Sequence, residues 1–281
     1  IHRPVAINEN VLLPGEDVTI WQVVLPAGRQ LGAAEVGGLA ALGVASVGVY
    51  RKLRVAIISS GDEVVPVEVK PAPGQVRDVN SLALKTLIES HLAEGILYGI
   101  VGDSPNLLEE RLRAALRDCD LAVITAGSSA SARDHTAAVI DRVGTPGVLV
   151  HGVNVKPGKP TILAVCDGKA VVGLPGNPVS ALVIARLFVL PVLARLSGGA
   201  VTPPVPLCRA RLTNNLPSQA GREDWTPVRL AQNAEGWSAE PIFYKSNLIF
   251  SLAKADGMVR TAPEATGLEA GTEVDVWALE R

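Results

Sequence analysis

The sequence predicts an α/β fold built on a parallel β-sheet, followed by a smaller β-rich domain. Three observations support this prediction. Apolar, β-branched runs end in small polar residues, as at residues 54–60, which is typical of buried parallel strands. Amphipathic helical stretches alternate with these runs across residues 53–198, as βαβ units require. Aromatic residues make up only 4% of the chain, so Val, Leu, Ile and Ala must supply the core.

The same patterns place the individual elements. We expect four strands in the α/β part, over residues 54–60, 95–101, 120–125 and 169–174. We expect four helices there, over residues 81–93, 104–117, 137–143 and 179–196, and Asn80 or Ser81 should cap the first. Nearer the start of the chain, the patterns favour a helix over residues 35–42 and a strand over 44–50. Beyond a stiff linker with Pro203, Pro204 and Pro206, strands are expected over 225–230 and 273–277.

Composition excludes several classes of protein. The net charge of -2 argues against a nucleic-acid-binding protein. The three cysteines lie far apart, so we expect reduced thiols in a cytoplasmic protein. We expect no membrane span, because two arginines interrupt the most apolar stretch, residues 181–196. The sequence contains no Walker A loop, no dinucleotide-binding glycine motif and no Ser/His/Asp arrangement, which disfavours ordinary nucleotide binding and nucleophilic catalysis.

Acidic residues follow three of the predicted strands. Asp62 and Glu63 end the first strand, although such a pair is also typical of a solvated turn with a helix cap. Asp103 and Asp134 follow two further strands. Carboxylates at neighbouring strand ends can hold Mg²⁺ together with phosphate oxygens, so all four are candidate catalytic acids.

Two loops offer donors for an anion. Residues 125–134 combine small residues, hydroxyls and Arg133, which suits a phosphate; a flexible surface loop is the alternative. Residues 174–180 open a long helix whose N-terminal N–H groups suit an anion; a proline-shaped N-cap is the alternative. The candidate cofactor-binding residues are Gly127, Ser128, Ser129, Ser131, Gly176, Asn177, Pro178 and Ser180.

A fourth loop carries two lysines. In residues 154–160 a rigid Pro-Gly turn aims Lys156 and Lys159, which suits an oxyanion such as phosphate or molybdate; an exposed basic turn is the alternative. Loops at the carboxyl ends of parallel strands meet at one edge of the sheet. Together the four loops predict a site for a phosphorylated ligand with metal-assisted phosphoryl or nucleotidyl chemistry.

These motifs, in this order and spacing, resemble the MoeA and gephyrin E-domain family of molybdopterin molybdenumtransferases. The similarity covers nearly the whole chain, and its most specific parts are Lys-Pro-Gly-Lys-Pro at residues 156–160 and Gly-Leu-Pro-Gly-Asn-Pro-Val-Ser at residues 173–180. Further matching motifs lie at residues 25–28, 40–43, 60–63, 78–81, 220–223 and 255–257.

The resemblance implies a fold, an activity and partners. It divides the chain into a remnant of an N-terminal linker domain (1–52), a three-layer, MogA-like molybdopterin-binding domain (53–200) and a C-terminal β-barrel-like domain (201–281). The enzyme would insert molybdate into adenylylated molybdopterin and release AMP, helped by Mg²⁺ or Zn²⁺. It would form a homodimer and work with a MogA-type adenylyltransferase. A non-catalytic binding protein and a scaffold protein are the alternatives.

The resemblance also implies roles for particular residues. Glu63, Asp103 and Asp134 match acidic residues of the family and are its candidate metal ligands. The residues matching its molybdate site are Lys156, Lys159, Pro160, Ser180, Arg222 and either Ser246 or Ser251, between which the motif does not decide.

Three departures from the family pattern stand out. The family loop Gly-Gly-Val-Ser-Val-Gly is Gly-Ser-Ser-Ala-Ser-Ala here, at residues 127–132, which leaves its ligand specificity open. Gly152 replaces a lysine. A segment with a Met-Asp-Gly motif, which in the family supplies an active-site Asp and dimer contacts, is expected to precede Ile1.

Overall fold

The α/β part of the chain is a six-stranded sheet between two layers of helices. The computed structural model describes residues 4, 6–126, 130–199, 205–234 and 236–278, except for the side chains of residues 130–134. Strands up to residue 175 are β1 (Arg54–Ser60), β2 (Val64–Val65), β3 (Val76–Arg77), β4 (Glu94–Val101), β5 (Leu121–Ala126), β6 (Pro146–His151), β7 (Val155–Lys156), β8 (Ile162–Cys166) and β9 (Lys169–Pro175). Helices up to residue 196 are α1 (Ala33–Ala41), α2 (Val79–Glu89), α3 (Pro105–Asp118), α4 (Ala130–Val143) and α5 (Pro178–Leu196).

Four neighbouring strands of this sheet are parallel. The strand order is β4-β1-β5-β9-β8-β6, and β4, β1, β5 and β9 run parallel, as predicted. β8 and β6 are antiparallel strands at one edge, which the sequence analysis missed. The turn between β8 and β9 carries positive φ at Asp167 and Gly168, so this Asp-Gly pair was an unused hairpin signal.

Apolar side chains fill both faces of the sheet. On one face, Leu112 of α3 and Ile140 of α4 are fully buried against β1 and β5. On the other face, Leu84 of α2 and Ile184 of α5 are fully buried. All six residues of β5 are buried, as expected for a strand covered on both faces. The three-layer arrangement implied by the resemblance is therefore present.

Three local predictions were wrong. The N-cap of α2 is Asp78, whose carboxylate accepts the Ser81 N–H at 3.1 Å, rather than Asn80 or Ser81. Residues 44–50 form no strand, because they are exposed and pair with no described strand. The helix expected from residue 137 begins at Ala130, because the seven residues before its predicted start continue the helical backbone.

Helix α5 is longer and more apolar than expected. Pro178–Leu196 spans 19 residues with a mean hydropathy of 2.1, so by length and composition alone it is sufficient to cross a membrane, contrary to our expectation. Arg186 lies within its π-helical turn, Ala185–Val189, and does not interrupt it. Its apolar side chains pack against the sheet and, through Val179 and Val183, against the second domain. The burial of this core helix accounts for its apolar composition.

The second part of the chain is a closed β-barrel. Its elements are β10 (Cys208–Leu212), β11 (Leu216–Pro217), β12 (Glu223–Asn233), β13 (Gly236–Pro241), α6 (Phe250–Ala253), β14 (Gly257–Thr261), β15 (Gly267–Leu268) and β16 (Glu273–Trp277). The order β13-β10-β16-β14-β12 closes on itself through pairing of β12 with β13. Val228, Ala239, Val259 and Val276 form the centre of its core. Of the predicted linker prolines, Pro203 and Pro204 lie outside the described residues.

One short strand joins the two parts. β7 belongs to the α/β part by sequence, yet it pairs in parallel with β12 of the barrel. The register places Val155 opposite Glu223 and Lys156 opposite Asp224. The Glu223 N–H also donates to the Asn154 carbonyl at 2.8 Å. The lysine loop of the α/β part is thereby hydrogen-bonded to the barrel sheet.

The first fifty residues add little core. No described residue before Arg51 is buried, and α1 buries none of its side chains. An ion pair lies where this segment joins the α/β part: the Arg51 guanidinium binds the Asp120 carboxylate at 2.5 Å. The pKa of Asp120 lies below its usual value, mainly because Arg51 stabilises the ionised form.

Candidate functional site

The carboxyl ends of four strands form one edge of the sheet, where the predicted loops meet. Ser60 pairs with Val101, Ser59 with Thr125, and Ala126 with Pro175. The order of the loops along this edge is therefore that of β4, β1, β5 and β9. Three strand spacings separate the first from the last, roughly 14 Å. An extended ligand can contact all four loops.

At one end of this edge the structure brings two of the predicted acids together. The Asp62 carboxylate accepts the Asp103 N–H at 2.9 Å. The Glu63 carboxylate folds back over Gly61, where an added Cβ would lie 2.6 Å from Oε2. A cavity of about 10 Å³ lies beside them, lined by Ser60, Gly102, Asp103, Ser104, Pro105, Leu108, His135 and Thr136.

The described acids do not by themselves form a metal site. Among the described residues, no group of three or more His, Cys, Asp or Glu side chains is arranged so that it could hold a metal ion. Asp134 and Ser131 have no described side chain, and Gly127, Ser128 and Ser129 lie outside the described residues.

The main cavity lies at the other end of the edge, between the α/β part and the barrel. Its volume is about 690 Å³. The predicted residues that line it are Lys156, Lys159, Pro160, Gly176, Asn177, Ser180, Arg222 and Ser246. Pro178 and Ser251 do not line it. Most of the residues expected at an oxyanion are thus brought together, although they come from four separate stretches of the chain.

A tight turn holds the two lysines at the cavity. Gly158 has φ +130, and an added Cβ would lie only 2.2 Å from Cγ1 of Ile184 in α5. The Gly158 carbonyl accepts the Thr161 hydroxyl at 2.6 Å, and the Lys159 carbonyl accepts the Val153 N–H at 2.9 Å. Only glycine allows the turn to approach the helix this closely. The loop is therefore fixed against the core.

The start of α5 and the barrel are connected at Ser246. The Asn177 side-chain amide donates to the Ser246 hydroxyl at 2.9 Å, and the Ser246 carbonyl accepts the Val179 N–H at 3.1 Å. The Asn80 amide donates to the Gly176 carbonyl at 2.8 Å, which joins α2 to the same loop. Of the two serines between which the sequence did not decide, Ser246 is the one at the cavity.

Sequence reasoning missed Asp224, a buried carboxylate in the cavity wall. It is 4% exposed. Its Oδ1 accepts Arg222 Nε at 2.8 Å, and its Oδ2 lies 3.6 Å from Lys156 Nζ. Arg222 directly precedes β12 and Asp224 is the second residue of that strand, so the two side chains are close in sequence. The contact of Asp224 with Lys156 depends on the pairing of β7 with β12, which no local pattern shows.

The cavity is positively charged. Of the described residues that line it, Lys156, Lys159 and Arg222 are cationic and Asp224 is anionic, so three charges minus one leave a net charge of +2. Tyr244 also lines the cavity. Burial, and to a lesser degree the Asp224 carboxylate, raises the pKa of Tyr244 well above its usual value, so its hydroxyl stays protonated and neutral. This environment suits an oxyanion with two negative charges.

Two family models match the two parts of the chain. One, described as a probable molybdopterin-binding domain, matches residues 56–195. The other, described as the MoeA C-terminal region (domain IV), matches residues 209–279. The cavity lies between the regions that the two models match.

Individual relatives agree with these models. A molybdopterin molybdenumtransferase of Haemophilus influenzae is 34% identical over 96% of this chain and 67% of its own. A putative molybdopterin biosynthesis protein of Methanocaldococcus jannaschii is 33% identical over 100% of this chain and 68% of its own. A solved structure of a MoeA molybdopterin biosynthesis protein from Pyrococcus horikoshii has a TM-score of 0.81 and 36% identity, covering 95% of this chain and 64% of that one. The chain spans about two thirds of the length of these relatives. It belongs to the MoeA family of molybdenum cofactor biosynthesis, a family of transferases whose curated members include molybdopterin molybdenumtransferases.

Proposed function

We propose that this protein inserts molybdate into adenylylated molybdopterin and releases AMP. The single observation that carries the proposal is the cationic cavity at the carboxyl edge of the sheet. The names of the relatives supply the substrate class, and the charge of the cavity matches a doubly charged oxyanion such as molybdate. The cavity volume of about 690 Å³ falls in the range of small-molecule and cofactor sites.

The proposed binding mode follows the edge of the sheet. Lys156, Lys159 and Arg222 hold molybdate through charge-assisted hydrogen bonds. The loop at residues 176–180 offers the Ser180 N–H near the start of α5 to a phosphate, because Pro178 has no N–H and the Val179 N–H donates to the Ser246 carbonyl. The ligand extends from there toward Asp62 and Asp103, roughly 14 Å away along the strand ends. In this arrangement molybdate and the pterin phosphate share the cationic end, and the opposite end is acidic.

The chemistry assigned to the protein is electrostatic. Molybdate exchanges one oxo ligand for the two dithiol sulfurs of the pterin, and that oxygen leaves with the two thiol protons as water. Water adds to the adenylyl phosphorus as the phosphoanhydride bond breaks, which releases AMP and leaves negative charge on the phosphate oxygens. Cationic side chains aimed at these oxygens stabilise that charge more in the transition state than in the ground state. The buried Asp224 carboxylate keeps two of the cations in place.

Several finer parts of the proposal rest on the family resemblance. They are Mg²⁺ or Zn²⁺ held by Glu63, Asp103 and Asp134, pterin-phosphate binding by residues 127–131, a homodimer, a MogA-type partner and a cytoplasmic location. The same holds for the division of the chain at residues 52 and 200. The α/β sheet and the barrel support that division, since β1 begins at Arg54 and β10 begins at Cys208.

The experiment that tests the proposal measures AMP release. The protein is incubated with adenylylated molybdopterin, molybdate and Mg²⁺, and AMP is quantified by chromatography. We expect AMP release by the wild type and a loss of at least about tenfold in Arg222→Gln, which removes a charged donor to the oxyanion. Arg229→Gln is the matched control, because Arg229 is an exposed arginine on β12, which begins one residue after Arg222, and it does not line the cavity.

Two outcomes would contradict the proposal. Wild-type protein that binds the pterin but releases no AMP would favour the carrier alternative. Equal AMP release by Arg222→Gln and wild type would place the chemistry outside this cavity.

A further inference from the structure

We propose that Asp224 is a positioning residue that holds Arg222 and Lys156 together as one oxyanion-binding unit. The inference deepens the function proposed above and rests on it. Neither the family motifs nor the sequence patterns single out this carboxylate. It is 4% exposed, and its two oxygens contact two of the three cations of the cavity.

The contacts of the carboxylate leave donors on both cations. Oδ1 accepts Arg222 Nε at 2.8 Å, and Oδ2 lies 3.4 Å from a terminal nitrogen of the same guanidinium. Lys156 Nζ lies 3.6 Å from Oδ2. A guanidinium carries five N–H donors and an ammonium carries three. Both groups therefore keep N–H donors for an anion in the cavity.

The carboxylate also offsets a repulsion. Arg222 and Lys156 both lie close to Asp224, and two like charges at such separations repel each other. A negative charge placed between them removes the tendency of these flexible side chains to swing apart into solvent. Their side-chain exposures of 33% and 56% show that solvent is within reach of both.

The backbone under Asp224 is rigid. Its strand β12 pairs with β14 on one side, where Asp224 lies opposite Thr261. On the other side it pairs with β7, where Asp224 lies opposite Lys156. A buried carboxylate on a central strand makes a fixed reference point, whereas the two cations are long side chains at a strand end and a loop. Asp224 therefore sets the positions of the Arg222 and Lys156 side chains, and these side chains do not set the position of Asp224.

The net charge of the cavity and the positioning of its cations predict opposite changes in the affinity for a dianion when the Asp224 carboxylate is removed. Asp224→Asn raises the net charge of the described cavity lining from +2 to +3, because one negative charge disappears. If net charge alone governed binding, a dianion would bind the variant more tightly. If the carboxylate positions the two cations, the dianion binds less tightly in spite of the added charge.

Isothermal titration calorimetry with molybdate, and with sulfate as a second dianion, distinguishes these cases. We expect Asp224→Asn to bind molybdate at least about tenfold more weakly than wild type. Asp224→Glu keeps the carboxylate and should recover most of the affinity. Equal or tighter binding by Asp224→Asn would overturn the inference while leaving the proposed function intact. A wild type that binds neither anion would refute the proposed molybdate site and this inference together.

A measurement on the wild type covers the case in which Asp224→Asn does not fold. The Nε–H resonance of Arg222 is assigned by its loss in Arg222→Lys. This proton should exchange with water more slowly than the Nε–H proton of the exposed Arg229, because it is hydrogen-bonded to the Asp224 carboxylate. Equal exchange rates for the two arginines would mean that the carboxylate does not hold the guanidinium, which also overturns the inference.

Discussion

Gly158→Ala tests how firmly the lysine turn is fixed against the core. An added Cβ would lie 2.2 Å from Cγ1 and 2.3 Å from Cδ1 of Ile184, which is fully buried in α5. A φ of +130 also strains any residue with a side chain. The backbone strain costs about 1–2 kcal/mol, and an overpacked core costs about 1–3 kcal/mol more. We expect the free energy of unfolding to fall by about 2–5 kcal/mol.

Gly168→Ala is the matched control for this substitution. Gly168 also has a positive φ, +82, but an added Cβ there meets no atom within 4 Å. The free energy of unfolding of Gly168→Ala should therefore fall only by the cost of backbone strain, about 1–2 kcal/mol. Urea denaturation followed by circular dichroism compares the two variants. If both lose the same free energy of unfolding, the steric contact with Ile184 is not what the structure indicates.

A double-mutant cycle isolates the contact itself. Ile184→Ala removes the two atoms that the new methyl group would meet, at a cost of its own of about 2–5 kcal/mol. In the Ile184→Ala background, Gly158→Ala should lose about 1–3 kcal/mol less than in the wild type, because the overpacking is gone. Strict additivity of the two substitutions would refute the reasoning.

Two further predictions concern the cavity. Lys156→Ala and Lys159→Ala should each weaken molybdate binding by about 1.5–3 kcal/mol in calorimetry, whereas Lys254→Ala, an exposed barrel lysine away from the cavity, should not; equal affinities in all three would place the oxyanion elsewhere. Because the folded-state pKa of Tyr244 is raised above 10.0, its contribution to stability is complete below pH 10 and is lost as pH rises toward the folded pKa. Tyr244→Phe should therefore flatten the fall in stability above pH 10 in urea denaturation, and an unchanged pH dependence would contradict the raised pKa.

Local patterns were enough for the central parallel strands and the loops at their ends. Strands such as β5 are uniformly apolar, and the loop after β9 opens a long helix, so both are visible in a short window of sequence. The family motifs then placed Lys156, Lys159 and Ser180 at one ligand. All three line the main cavity.

What escaped prediction depends on contacts between distant residues. The choice between Ser246 and Ser251 required the hydrogen bond of Ser246 with Asn177, 69 positions away in the chain. Asp224 meets Lys156 only because β7 pairs with β12 in one particular register. A shift of one residue in that register would turn the carboxylate to the other face of the strand. No propensity or motif encodes such a register by itself.

The two-residue strand β7 has a consequence for how ligands enter and leave. Because β7 is hydrogen-bonded to β12 while its own loop is fixed against α5, this pairing opposes any swing of one domain away from the other that would separate Lys156 from Arg222. Opening of the cavity by such a domain movement would first have to break the hydrogen bonds between β7 and β12. We therefore expect substrate and product to enter and leave through the existing opening of the cavity, past Lys156 and Arg222.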